Sequence, residues 1–297
     1  MSVALGAPRL FLQSRRHSRR YLRRALASTF AYSLLVLVAL AFFVPFLWLV
    51  VTALKPLNQV FTIPPIWVPR PVQWQNFRLA LTHPAFPFLR LFWNSLYYAV
   101  FSTLGVTAAS CLAAYAFARI DFPGRTALFA ITLGTLMIPG VVTMVPTYLI
   151  FKWLGWIGTY RPLIIPAWTG NPFFIFMLRQ FMMTLPQELS DAAKVDGASE
   201  LEIFYRIMLP LMRSAVLVVV LFNFMWSWND FMGPLIYLNN ARLYPLSLGL
   251  YAFLSREGIK WNLLAAAALV TTVPVIVLFF VGQQQFIEGI TMTGIKR

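Results

Sequence analysis

"SDAAKVDGASELEIFYRIMLP", residues 190–210, is a polar island in a strongly apolar chain. It holds four of the nine acidic residues, Asp191, Asp196, Glu200 and Glu202, and Glu188 lies two positions before it. The rest of the 297-residue sequence is built differently. Hydrophobic residues make up 60% of it, charged residues 11%, and the mean hydropathy is +0.72. Soluble domains carry about 25% charged residues, so the composition is that of an integral membrane protein. Cys111 is the single cysteine and sits in an apolar run, so no disulfide framework or cysteine-rich metal site is available. His17 and His83 are the two histidines and lie far apart, which leaves little for a metal centre or a histidine-based triad.

Working outward from the polar island, six charge-poor runs can be read, over residues 25–54, 91–118, 126–151, 162–183, 214–238 and 261–287. A helix needs about 20 apolar residues to cross the hydrocarbon. The sequence therefore predicts an all-α integral membrane protein of six transmembrane helices. The fourth run continues past Arg179 and the fifth contains Asp230, so these two signals are the weakest. The first run is too long for a signal-peptide core and reads as a retained span. Residues 1–24 form a basic tail with seven arginines, which places the N-terminus in the cytoplasm. Six crossings return the tail 288–297 to the same side. Lys and Arg then number fifteen in cytoplasmic segments and nine in external ones, in line with that orientation. The net charge of +15 belongs to span flanks and anionic headgroups, not to nucleic acid, for which no binding module is present. Pro45, Pro139, Pro146 and Pro274 lie within spans, either as tolerated kinks or as bends that line a pathway.

In this topology the island becomes a cytoplasmic loop, residues 184–213, between spans four and five. Thr184 with Gln187 fits a capping box, and Pro186 suits a first helical turn. That helix would place Leu189, Ala192 and Ala193 on one face. Gly197 then supplies a sharp turn, and Ser199 with Glu202 forms a second capping box. The second helix would carry Leu201, Phe204, Tyr205 and Met208 as an apolar stripe, limited by Pro210. The residues alone leave two readings open: a knob that docks a partner and is braced from behind, or a well-capped connector.

The stretch "DAAKVDGASELEIFYRIMLPL" resembles the signature loop of the inner-membrane permease subunits of binding-protein-dependent ABC importers. The matching positions are Ala192, Ala193, Asp196, Gly197, Ala198, Phe204, Ile207, Leu209, Pro210 and Leu211, with Asp191 where the family carries glutamate. "FWNSLYYAV" (92–100), "AAYAFARIDFPGR" (113–125), "LMIPGVVTMVPTYLI" (136–150), "FMWSWNDF" (224–231) and "FIEGITMTGIKR" (286–297) resemble the maltose-type branch of carbohydrate-uptake permeases. The last differs from that branch's usual Gly-Ala-x-Lys-Gly ending, since Thr293 to Arg297 reads TGIKR. The resemblance implies that the loop is a coupling helix that docks on a cytoplasmic ATPase. The partners implied are a homodimeric ABC ATPase that binds ATP and Mg, a second homologous permease and an extracytoplasmic sugar-binding protein. No cofactor is expected in this chain itself. The setting implied is the plasma membrane of a prokaryote, with lipid around the spans.

No GxxxxGK[ST], HExxH or GxSxG sequence occurs, so the chain is not expected to be an enzyme. Asp230 is the one acid inside an expected span. It either caps broken backbone near the outer rim or contacts solute. Asn94 and Asn229 could bond either sugar hydroxyls or neighbouring helices. Arg179 is expected to snorkel to headgroups, and Trp226 and Trp228 to sit in an interfacial belt. The external segment 239–260 is long enough to meet a solute-binding protein. The competing function is a self-sufficient secondary transporter or channel, against which stands the scarcity of ionisable groups within the spans.

Overall fold

A computed structural model describes the backbone of residues 9–256 and 260–294, and the side chains of 26–254 and 260–283. The first eight residues of the basic tail, the tail's arginine side chains and the last three residues lie outside the described residues. Among the described residues fourteen α-helical segments follow one another: α1 (Arg9–Ala53), α2 (Gln75–Leu81), α3 (Phe88–Arg119), α4 (Arg125–Gly134), α5 (Gly140–Trp153), α6 (Arg161–Ile164), α7 (Pro172–Met183), α8 (Glu188–Val195), α9 (Glu200–Ile203), α10 (Leu209–Leu211), α11 (Arg213–Asn229), α12 (Met232–Tyr237), α13 (Leu246–Arg256) and α14 (Trp261–Gly294). No strand occurs among the described residues.

Among the described residues, three stretches are long and apolar enough to cross a membrane unbroken: Leu26–Ala53, Phe88–Arg119 and Trp261–Gln283. Two more would qualify only as bent pairs, Arg125–Met137 with Gly140–Trp153 at 100° and Glu200–Leu211 with Arg213–Asn229 at 80°. The expected third span is therefore not a straight rod. Pro139 is responsible: it pushes Ile138 out of the α region, to ψ 114°, and starts a new helix at Gly140. The expected fourth span is interrupted too. Gly170 at φ 85° and the cap residue Asn171 separate α7 from the turns before it. With 12 residues α7 rises only about 18 Å, short of the hydrocarbon thickness. The fifth ends at Asn229 instead of near 238, because Asp230 turns extended (ψ 117°). Pro234 sits inside the separate short helix α12.

α3 is the organising strut. It packs most extensively on α11 and α7, while α1 and α11 lie against α14. Its two ends anchor two separate cores. Near Arg119, Tyr115 joins Phe174, Leu178, Met182, Ile203, Phe204, Met208 and Met212. Near Phe88, Leu91 and Ala99 join Phe86, Trp228, Leu246, Phe253 and Ala266. Trp228 thus lies in a core, and its Nε1 donates to the Thr271 carbonyl at 3.2 Å, which removes it from the expected interfacial belt. By contrast the side chains of α1 from Leu26 to Phe43 and most of α4 and α5 are exposed. Apolar surface of this extent calls for lipid or a partner subunit.

Candidate functional site

At the Arg119 end of α3 the polar island folds into a compact knob. The expected capping box at Thr184 is not formed. Thr184 Oγ1 instead donates back to the Phe181 carbonyl at 2.7 Å, at the end of α7, and α8 starts at Glu188 without a side-chain cap. The second box is present in full. Ser199 Oγ accepts from the Glu202 amide at 3.3 Å, and Glu202 Oε2 accepts from the Ser199 amide at 3.0 Å. Between the two helices Gly197 turns at φ 83°, with open space where a side chain would project.

The face expected on α8 is split. Ala193 is buried with Ser190, whereas Leu189, Ala192, Val195, Asp196 and Gly197 are exposed; Val195 is 88% accessible. The brace differs from the expected stripe as well. Ile203, Phe204 and Met208 are buried, while Leu201 and Tyr205 are exposed. The cause is local: the chain widens to a π turn over Phe204–Met208 just ahead of Pro210, whose ring clashes with the carbonyl four residues back in α geometry. The inserted residue rotates the apolar face, so that Ile207 and Leu209 pack against the core and Pro210 faces outward; Asp191, on α8, is exposed as well. Ala198 also packs against this core.

Two polar links bolt the knob to α3, and a third ties its two helices together. The buried Arg119 guanidinium donates to the Met182 carbonyl at 2.6 Å, to the Leu185 carbonyl at 2.8 Å and to Gln187 Oε1. It thereby satisfies acceptors at and beyond the end of α7 that have no helical donor. Tyr115 Oη donates to Glu200 Oε2 at 2.6 Å. Lys194 Nζ, on α8, meets Glu200 Oε1 at 2.8 Å. The Lys194 ammonium and the Tyr115 hydroxyl hold the Glu200 carboxyl below the usual carboxylate range, and Glu200 raises Lys194 in return. Arg179 is not snorkelling. Its Nε donates to the Phe117 carbonyl at 3.1 Å and its guanidinium lies 4.2 Å from the centre of the Phe129 ring.

Towards the Phe88 end, α3 and α11 share a polar seam. Thr103 accepts from Asn223 Nδ2 at 3.2 Å, Ser102 from Ser227 at 3.2 Å, and Tyr98 Oη donates to Asp230 Oδ2 at 2.7 Å. The seam opens into a groove of about 590 Å³ that also includes Trp226 and Asn229. Asp230 is held on all sides. Its Oδ1 accepts from the Gly233 amide at 3.0 Å, capping the broken backbone, and its carbonyl accepts from Ser247 Oγ at 2.6 Å. Asn229 bonds within its own helix, to the Met225 carbonyl at 2.8 Å. Asn94 does not reach the groove. Its Nδ2 donates to the carbonyls of Arg242 and Tyr244 at 2.8 and 2.9 Å. Tyr98, Ser102, Asn223 and Ser227 were not singled out from sequence. The signal was present as spacings of four, 98 and 102 on one helix and 223 and 227 on the other, which put each pair on one face.

Residues 102–288 match the family of binding-protein-dependent transport system inner membrane components. The chain belongs to that family. This permease is 33% identical over 254 residues to the arabinooligosaccharides transport system permease protein AraQ of Halalkalibacterium halodurans, covering 85% of this chain and 90% of that one. It is 31% identical to the inner membrane ABC transporter permease protein YcjP of Escherichia coli, over 92% and 98% of the two chains. It is 30% identical to the sn-glycerol-3-phosphate transport system permease protein UgpE of Yersinia enterocolitica, over 88% and 95%. In the fold it matches a chain of a bacterial ABC transporter that imports alginate, with a TM-score of 0.77, 19% identity and coverage of 95% and 99%. The permease is a transport subunit and not an enzyme; ATP is handled by a separate subunit.

Proposed function

We propose that this permease forms half of the translocation path of an ABC importer for a sugar or oligosaccharide, and that the knob between α8 and the π turn carries the movement of a homodimeric ATPase into α3. In this reading the chain crosses a prokaryotic plasma membrane six times, α4–α5 and α6–α7 being discontinuous crossings. Both termini and the knob lie in the cytoplasm. A second, homologous permease completes the path, and an extracytoplasmic binding protein delivers the solute. ATP and Mg sit in the ATPase.

The observation that carries the coupling role is the exposed surface of Leu189, Ala192, Val195 and Asp196, displayed on a knob whose rear is locked to α3 by Arg119, Tyr115 and Glu200. Changing an access equilibrium from 1:99 to 99:1 requires about 5.5 kcal/mol of differential free energy, which a flexible loop would dissipate in its own bending. The sugar class is supported by AraQ, and by a groove lined with hydroxyl, carboxamide and indole groups.

The test is reconstitution with ATPase, second permease and binding protein in vesicles. Sugar uptake should require ATP and all four components. Gly197→Trp, which fills open space on the docking side, should abolish uptake while leaving the protein in the membrane. Normal uptake by that variant refutes the coupling role.

A further inference from the structure

Between the end of α1 and the start of α2 the chain makes a closed loop, residues 59–70. One side chain ties its neck. Gln59 Oε1 accepts from the Arg70 amide at 3.2 Å, and Gln59 Nε2 donates to the Arg70 carbonyl. Beyond the neck the Gln73 amide donates to the Leu54 carbonyl at 2.8 Å, just past the end of α1. Compact surface loops with joined ends are frequently functional.

The residues inside the neck, 60–69, read VFTIPPIWVP and carry no charge. Val60 and Pro69 are buried at the base. Toward the tip the apolar side chains turn outward: Phe61 and Val68 are exposed, and Ile63 is 97% accessible. Loops that face water are built from polar turn residues, whereas this surface needs cover. Pro64, Pro65 and Pro69 have no amide to leave unmet. The one hydroxyl of the stretch, Thr62 Oγ1, donates to the Gln59 carbonyl at 3.4 Å. Few groups are left that would hold the loop in water.

Its place in the fold decides what covers it. The loop leans on the boundary ends of two spans. Trp67 meets Trp48, near the end of Leu26–Ala53, edge to face with ring centres 5.2 Å apart. Phe61 meets Trp261, the first residue of Trp261–Gln283, at 5.7 Å. Asn262 Nδ2 donates to the Lys55 carbonyl at 3.3 Å, so the two span ends lie side by side. Tryptophan at span ends marks the headgroup level. The exposed cations of the region, Arg70 and Arg78, suit anionic headgroups, and no acid precedes Asp121 in the sequence. Irregular backbone is not carried deeper, into the hydrocarbon, where unmet amides cost too much.

We propose that the tip of this loop, Phe61 to Val68, inserts into the boundary between lipid headgroups and acyl chains and anchors the end of α1 there. The apolar face is covered by phospholipid, and by neither the second permease nor the binding protein. This anchoring depends on α1 and α14 crossing the membrane and on nothing else in the importer reading.

The test uses the complete transporter in nanodiscs of phosphatidylethanolamine and phosphatidylglycerol. Ile63→Cys is labelled with a polarity-sensitive fluorophore; Cys111 is buried, and wild type treated alike is the blank. Emission should shift to shorter wavelength. Lipids carrying a nitroxide at shallow or deep positions should quench it and place the label about 5–10 Å inside the headgroup boundary. A water-soluble nitroxide should quench it far less, and adding binding protein should change nothing. Val68→Cys should give the same pattern. Quenching by the soluble nitroxide and not by the lipid ones puts the loop in water and overturns the proposal. A label shielded from both is covered by protein, and a label shielded only once binding protein is added lies on a docking surface; either result overturns it as well. ATP-dependent sugar uptake by the labelled transporter in vesicles reports separately on the importer reading.

Discussion

The two ends of α3 solve opposite problems with similar means. At the Arg119 end a buried guanidinium, a phenol and a carboxylate tie a protruding, solvent-facing knob to the bundle. Toward the Phe88 end a phenol and a carboxylate, with hydroxyl and carboxamide pairs, tie α11 to α3 at the point where α11 breaks. The first set satisfies carbonyls at a helix terminus; the second bridges two helices side by side. The difference teaches where rigidity is placed: the knob is locked to one strut by several strong, charge-assisted bonds, while the groove has one such bond, Tyr98 to Asp230, and is otherwise held by weaker neutral ones that leave room for a solute. Hydrogen bonds to charged groups contribute about 1.5–3 kcal/mol each, against about 0.6 kcal/mol for a typical bond between membrane helices.

The comparison can be broken most decisively at Arg119. Arg119→Ala removes the guanidinium from the Met182 and Leu185 carbonyls, of which Met182 keeps only its backbone donor, and should lower stability by about 3 kcal/mol or more. It should also uncouple ATP hydrolysis from uptake, measured by thermal unfolding and by transport in vesicles. Arg119→Lys, which keeps the charge but not the fork, should recover only part of each. Stability and coupling both at wild-type level in Arg119→Ala would remove the asymmetry between the two ends.

Next in size, Tyr98→Phe removes the 2.7 Å bond to Asp230 and frees one carboxylate oxygen in the groove. A loss of about 1.5–3 kcal/mol in unfolding free energy is expected, along with altered transport, since the cap that ends α11 loosens. Asn223→Ala should cost about 0.6 kcal/mol, read as a small shift in the melting curve. If it matched Arg119→Ala, the groove would be as tightly locked as the knob.

The smallest effect concerns pH. Glu200 is depressed in the folded state, so its contribution is present above the ordinary glutamate range and is lost as pH falls through its lowered value. Glu200 is partly exposed, which limits the effect to about 1 kcal/mol or less. Glu200→Gln should flatten the acid limb of a stability profile slightly without changing it near neutrality.

Much of this was legible in the residues. The Ser199–Glu202 box, the Gly197 turn and the membrane character all follow from local chemistry: a hydroxyl three residues before a carboxylate, a residue free of Cβ, and long runs that water would reject. The family was legible too, because the loop motif is dense and specific. The register of the second knob helix was not, since it depends on how Pro210 and the π turn share one backbone. The end of α11 at Asp230 instead of near 238 was also hidden, because Tyr98 and Ser247, distant in sequence, hold the extended residue in place.

What the sequence determined by itself was therefore the solvent and the local turns, both functions of side chains near one another along the chain. What tertiary structure alone decided was partnership: that Arg119 serves α7, that Asn94 pins the Arg242 loop, and that Ala193 hides while Ala192 shows. Those outcomes depend on which helix faces meet. Apolar periodicity does not specify this when nearly every face of every span is apolar.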